Sequence, residues 1–451
     1  MQPHGTLHPP SHHEQSDSLQ AATDLLDKRG ANYCDRPEFV LFHIMGFRAT
    51  LTFLRWSPRF RLHRRLLQSS LSKRNITQFE DLQLHEARRT LQALLAAPDD
   101  WEKALRRYAT AVVLGVGFGV SVESDEDPYI QMAADVSYAL AHGGAPAGTL
   151  VDVLPFLRYF PTCLAPFASL RFVRKWHAAI RSIHEIPFAA VQRDFKEGKS
   201  RPSFVQQQLQ ARAIATERGD KHEMTLEDIQ GAAGALFAAG QDTTWSTLVV
   251  FVLNMVLNPA VQLRAQEELD SIVGSERLPA FSDRSSLPHL EFVLQETLRW
   301  CPVSPLGVPH KSLEEDVYRG MCIPAGSIVY ANARAMCYDR DIYRNPEVFD
   351  PMRYAPYQRA AVRSPCLWAN SASEGGQICV GRHFADATLW IMMATMLATL
   401  NFDKALNDDG MPITPEVTLT PGLTSHPDRF PCRLSSRSKR AEQLIRREMN
   451  S

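Results

Sequence analysis

Residues 225–257 constrain the fold more than any other segment. The stretch is apolar almost throughout, opens on a capping pair, Thr225 with Asp228, and stops at Asn258-Pro259. At 1.5 Å per residue it predicts a helix on the order of 50 Å long, enough to cross the whole molecule. Apolar residues at three- and four-residue spacing predict further helices over 21–29, 60–70, 79–97 and 101–112, one running to 195, one over 260–273, one ending at 300, and one over 382–400. After Pro302 the texture changes. Short strands are predicted at 317–318, 327–331 and 417–419, between Pro and Gly punctuation, and 341–376 reads as irregular. The fold class is mainly α with minor β. One domain is expected over 21–432, after a disordered tail (1–20) and before a solvated basic tail (433–451) with six Arg/Lys against two Glu.

Composition excludes several classes. Hydrophobic residues at 45% and charged residues at 22% rule out collagen, coiled coil and a wholly disordered chain. With 49 Lys and Arg against 50 Asp and Glu, no basic excess argues for nucleic acid. Eight cysteines without a CxxC suggest neither a zinc ribbon nor a disulfide framework, and fit a reducing compartment. The first twenty residues hold no apolar run, so no signal peptide or anchor is expected there. The longest strongly apolar stretch, 245–257, is short of the roughly 20 residues of a spanning helix.

Three constellations carry chemistry. Glu296 and Arg299 lie three apart, on one helical face, between apolar neighbours; alone, such a pair is usually a solvated surface contact. Ala239-Gly240-Gln241-Asp242-Thr243-Thr244 interrupts the long helix with polar groups, and a satisfied polar seam between helices would explain it equally well. Gly375-Gly376-Gln377-Ile378-Cys379-Val380-Gly381-Arg382 sets a cysteine in a glycine-rich loop ahead of the last helix. Backbone N–H groups there favour thiolate, a nucleophile or metal ligand, although most cysteines are small buried hydrophobes.

Taken in order, AGxDTT, ExxR and a Gly-flanked Cys followed by GRxxA resemble the cytochrome P-450 family of haem-thiolate monooxygenases. The connecting text, from Arg299 through Pro302, Pro305 and His310, then Ile323-Pro-Ala-Gly326 and Phe349-Asp-Pro-Met-Arg353, resembles it too. The nearest likeness is to fungal members that oxidise lipophilic secondary metabolites. The resemblance implies that family's fold, a helical prism around a haem with a long central helix and small β-sheets. It implies haem b with Cys379 as axial iron ligand, Gly375, Gln377 and Gly381 around the cofactor, and Arg64 and His310 at its propionates. Asp242 and Thr243 would govern proton delivery to dioxygen. Glu296, Arg299 and Arg353 would form a buried structural ion network. Phe237, Ala238, Val303, Leu306 and Leu423 would line an apolar substrate pocket. Electrons would come from NADPH indirectly, through a cytochrome reductase docking near Arg65. The family usually sits on the cytoplasmic face of the endoplasmic reticulum; this chain reads as cytoplasmic or peripherally bound.

Departures from the family pattern are specific. Ala372 stands where Phe is usual, Gln377 where a basic residue is usual, Phe60 where Trp is usual, and Arg334 where Trp is frequent. With Gln377 uncharged, only Arg64 and His310 are expected at the propionates. Two further readings follow: a degenerate member that keeps the fold but binds haem poorly, and a haem-thiolate isomerase or dehydratase. The intact Asp242-Thr243 pair argues against the second.

Overall fold

In the computed structural model the helix α7 (Leu226–Leu257) is the axis of the protein. The structure describes residues 13–16, 18–47, 49–124, 126–161, 168–357 and 378–447. Thr225 caps α7 by accepting from the Asp228 N–H at 3.1 Å, and the Asp228 carboxylate accepts from the Thr225 N–H at 3.0 Å. The helix is apolar on nearly every face, and such a helix must be enclosed. It is long and apolar enough to cross a membrane by length and composition, yet 78% of its most apolar window is buried inside the protein. Two glycines let neighbours press onto it. A Cβ at Gly231 would collide with the Ala49 carbonyl, and one at Gly234 with the His184 ring.

Around this axis run α1 (Pro58–Ser70), α2 (Glu80–Ala96), α3 (Trp101–Phe118), α4 (Pro128–His142), α5 (Ala168–Lys196) and α6 (Phe204–Glu217). Then come α8 (Pro259–Ile272), α9 (Pro288–Trp300), α10 (Arg382–Thr399) and α11 (Lys439–Arg447). Two hydrophobic clusters result. One joins the C-terminal half of α7 to α2, α3 and α8 to α11, around Trp101, Phe251 and Trp390. The other joins the N-terminal half to α4 to α6 and an aromatic knot of Phe39, Phe42, Phe47 and Phe53.

The β part is small. Strand β1 (His13–Ser16) runs parallel to β5 (Ile328–Ala331), which pairs antiparallel with β2 (His310–Lys311). Strands β3 (Asp316–Tyr318) and β4 (Met321–Ile323) form a hairpin, and β6 (Leu400–Lys404) pairs with β7 (Cys432–Ser436).

Several expectations are corrected. Residues 417–419 make only an isolated bridge, Leu419 with Pro427, because the segment has no strand to pair along its length. Residues 13–20 are not wholly a tail, since 13–16 add a strand to β5 and Leu19 packs on a small core cluster. The basic tail is structured as far as Arg447: Arg433 lies in β7, and α11 buries Ala441, Leu444 and Ile445, spaced three and one apart on one face, while its cations point outward.

Candidate functional site

Between its two ends, the burial of α7 breaks at one place. Ala239 is exposed and Leu236, Gly240 and Thr243 are half-buried, in a helix otherwise almost wholly enclosed. The Thr243 hydroxyl donates to the Ala239 carbonyl at 2.7 Å, and Thr247 donates to the Thr243 carbonyl at 2.8 Å. Thr243 thus sits on an accessible stripe with its oxygen lone pairs still available. Asp242 turns elsewhere. It is fully buried, neither carboxylate oxygen has a hydrogen-bond partner, and its charge is felt by Arg106 and by the His426 ring.

Cys379 lies just ahead of α10, whose N-cap is Gly381. Cys34, Cys301 and Cys337 are buried and Cys432 half-buried, whereas Cys379 is exposed. Cys322 is also exposed, but it belongs to the β3–β4 hairpin. Surrounding protein pushes the Cys379 thiol up from its ordinary value, while the N–H groups of Gly381 and Arg382 and the charges of Arg382 and Arg64 pull it back. Arg64 fixes the approach to this loop by donating to the Ile378 carbonyl at 2.8 Å. Gly375, Gln377 and Ala372 lie outside the described residues.

Sequence reading missed Arg36. Its guanidinium is buried and donates to the carbonyls of Val308 and Pro309 (2.8 Å to the latter), and its Nε has no partner. Burial and the charge of Arg64 push it down to about 9. His310, beside it, is neutral: its Nδ1 faces the Tyr33 carbonyl at 2.8 Å, and burial with Arg36 pushes it down to about 3. Among the described residues neither Arg36 nor Arg64 forms an ion pair. Two desolvated guanidiniums without a carboxylate are unfavourable on their own. They fit a dianionic group, which is what the two propionates of haem present. No local motif marks Arg36, because its meaning depends on residues more than 270 positions away.

Glu296 and Arg299, both fully buried, meet through two hydrogen bonds of 2.8 Å. The Arg353 Nε donates to both Glu296 oxygens at 3.1 and 3.0 Å, and the Asp350 N–H adds a third donor residue. Arg299 also donates to the Cys337 carbonyl at 2.8 Å, so the network ties α9 to the chain that follows β5. The pairing pushes the Arg299 guanidinium up against the opposing effect of burial.

The loops nominated as pocket walls do come together. The Ser425 N–H donates to the Val303 carbonyl at 2.7 Å, Ser304 Oγ donates to the Leu423 carbonyl at 3.2 Å, and Leu306 is half-buried. Gly422, at φ +143°, presses on the Ala141 carbonyl, where no side chain fits. Phe237 and Ala238 lie in the second cluster, as Leu423 does. Phe237 is fully buried in the second cluster, 6.5 Å edge-on to Tyr129, and Ala238 packs there too; the accessible face is one residue further, at Ala239. Phe60 packs in the same cluster, 5.4 Å from Trp56, and Arg334 stacks at 4.3 Å over Tyr338.

The cytochrome P-450 family model matches residues 16–430. A cytochrome P-450 monooxygenase of Armillaria gallica is 36% identical over 95% of this chain and 83% of its own. Tryptamine 4-monooxygenase of Psilocybe cyanescens is 33% identical over 94% and 83%. A zebrafish cytochrome P-450 solved with progesterone superposes with a TM-score of 0.75 over 96% of both chains at 24% identity, a likeness of fold.

Proposed function

The chain belongs to the cytochrome P-450 family and is a haem-dependent monooxygenase, and from that premise we propose that it oxidises a lipophilic small molecule of secondary metabolism, with Cys379 as the residue that would hold the haem iron. The observation that carries the reading is the exposed Cys379 thiol ahead of α10, tied through the Ile378 carbonyl to Arg64. Bound haem supplies the redox chemistry and the activation of dioxygen. The protein does the rest. Cys379 would hold the iron through its thiolate, and Arg36 and Arg64 would neutralise the propionates. Thr243 presents its hydroxyl on the accessible stripe and would hold a proton there, and Asp242 is the neighbouring carboxylate on the buried side of α7. Val303, Leu306, Leu423 and Ala239 give the substrate an apolar wall. Electrons from NADPH arrive through a reductase. Exposed Val153, Phe156 and Tyr159 support peripheral contact with a membrane.

Arg36 favours this reading over a degenerate member, because it supplies a positive charge that Gln377 does not. The reduced carbon-monoxide difference spectrum tests the reading. We expect a thiolate-type band that Cys379→Ala abolishes and Cys301→Ala keeps. The opposite pattern, or no such band in the unaltered protein, overturns it.

A further inference from the structure

Arg36 follows directly after a carboxylate that does not pair with it. Asp35, only 3% exposed, turns its side chain to the segment that leads into α1. Its Oδ1 accepts from the Trp56 N–H at 2.8 Å and from the Arg55 Nε at 2.9 Å. Its Oδ2 accepts from the same Nε at 2.9 Å and from the Arg55 Nη2. Both oxygens are engaged away from Arg36. The backbone explains this. Asp35 forms an antiparallel bridge with Lys311, whose N–H donates to the Asp35 carbonyl at 2.8 Å. In extended chain successive side chains leave on opposite faces. Asp35 therefore faces Arg55 and Trp56, while Arg36 faces the carbonyls of Val308 and Pro309 with its Nε still unpartnered.

The same carboxylate reaches the second cation through α1. Trp56 precedes Ser57, the N-cap of α1, whose Oγ accepts from the Phe60 N–H at 3.1 Å. The Trp56 ring packs 5.4 Å from that of Phe60. Arg64 lies one turn beyond Phe60 on the same helical face and donates to the Ile378 carbonyl, next to Cys379. Holding the Trp56 N–H thus holds the start of α1, and with it Arg64. We propose that Asp35 is a positioning residue for the cofactor, which sets the spacing of Arg36 and Arg64 so that the two guanidiniums meet the two haem propionates. The inference rests on the reading of Arg36 and Arg64 as the propionate partners.

Such an anchor has a physical purpose. Two like charges in a desolvated site repel, and Arg36 feels the charge of Arg64. Without a tie between their chains the two would relax apart, and haem would have to restore their separation on binding. A pair held in place beforehand removes that cost. Burial works to raise the Asp35 carboxyl, yet Arg55 and the Trp56 N–H hold it below its ordinary value, so the anchor is ionised at neutral pH.

The test uses the haem-loaded protein without substrate or reductase. It measures haem loss to apomyoglobin and the propionate-bending bands of the resonance Raman spectrum. Asp35→Asn keeps an oxygen for the Trp56 N–H but loses the charge that holds Arg55. It should lose haem several-fold faster, though less so than Arg36→Leu, and shift the propionate bands. Arg55 is at the accessible end of the pair, so Arg55→Ala should fold even if Asp35→Asn does not. It should move both readouts the same way, and Arg55→Lys should restore most of the loss rate. Asp283→Asn is the control, since Asp283 holds Arg277 and the Ala280 N–H ahead of α9 in a like manner. It should lower the melting temperature and move neither readout. Unchanged bands and loss rates in Asp35→Asn and Arg55→Ala, beside changed ones in Arg36→Leu and Arg64→Leu, overturn the positioning role and leave the propionate reading intact. Equal shifts in Asp283→Asn overturn it too, as general loosening. If Arg36→Leu and Arg64→Leu move neither readout, the propionate reading falls and the inference with it.

Discussion

Arg36 changes the account of how this chain holds a cofactor. A buried guanidinium bonded only to carbonyls keeps an unneutralised charge, so removing it relieves the protein and deprives the propionate. A charge-assisted hydrogen bond contributes about 1.5–3 kcal/mol, against about 0.5–1.5 for a neutral one. Arg36→Leu should therefore speed haem loss to apomyoglobin by about tenfold or more, since 1.4 kcal/mol is one decade. The apoprotein should unfold at an equal or higher urea concentration. Gln377→Arg should change haem loss far less than Arg36→Leu, since the charge it would restore is already present. His310 contributes as a neutral donor or acceptor only. Cys379 and the Glu296–Arg299 pair stood out in the sequence because each belongs to a short local pattern, whereas Arg64 was picked out only through the family resemblance. Arg36 was not, because Val308 and Pro309 reach it only after the chain has folded.

At the scale of elements, the Glu296–Arg299–Arg353 network joins α9 to the segment after β5. Glu296 accepts from three residues in a site closed to water. Glu296→Ala would strand two guanidiniums, a loss of roughly 3–5 kcal/mol. That is a large share of the roughly 5–15 kcal/mol of a whole domain. We expect insoluble or haem-free protein on expression, whereas Arg353→Lys, at the partly accessible edge of the network, should yield folded protein with a lowered melting temperature. The long helix was readable from its cap, stop and unbroken apolarity. Helices α4 and α6 were not: α4 buries Ala133, Ser137, Ala139 and Ala141 beside only three larger apolar side chains, and α6 buries only Phe204, Val205 and Leu209 among glutamines. Strands β6 and β7 escape a local reading too, because Lys404 finds its partner at Cys432.

Across the whole molecule, buried neutral histidines set the acid limit of stability. His184 bonds the Ile180 carbonyl and faces Thr50, and burial pushes it down to about 4. His289 is pushed down to about 4 by burial and Arg264, against a weak opposing contact with the Val261 backbone. Above pH 6.5 each is neutral whether the chain is folded or unfolded, and contributes no pH dependence. As the pH falls from 6.5 toward 4, only the unfolded chain takes up the protons, so stability falls. The slope is about 1.4 kcal/mol per pH unit for each histidine. Urea midpoints should be nearly level between pH 8 and 7 and drop steeply between 6.5 and 5. His184→Gln should make that drop shallower; an unchanged slope would show that His184 titrates alike in both states.

Helix α7 also threads both hydrophobic clusters, with 229–238 in one and 245–256 in the other. Its backbone ladder passes unbroken through the accessible stripe at 239–243. Amide protons on either side should then exchange with deuterium at one shared free energy, that of global opening, because neither cluster can loosen without unwinding the helix that anchors the other. The stripe itself should exchange first, by local fluctuation, and slow when haem occupies the groove beside it. Two separate exchange plateaus along α7 would mean that the clusters are independent foldons meeting at Gly240.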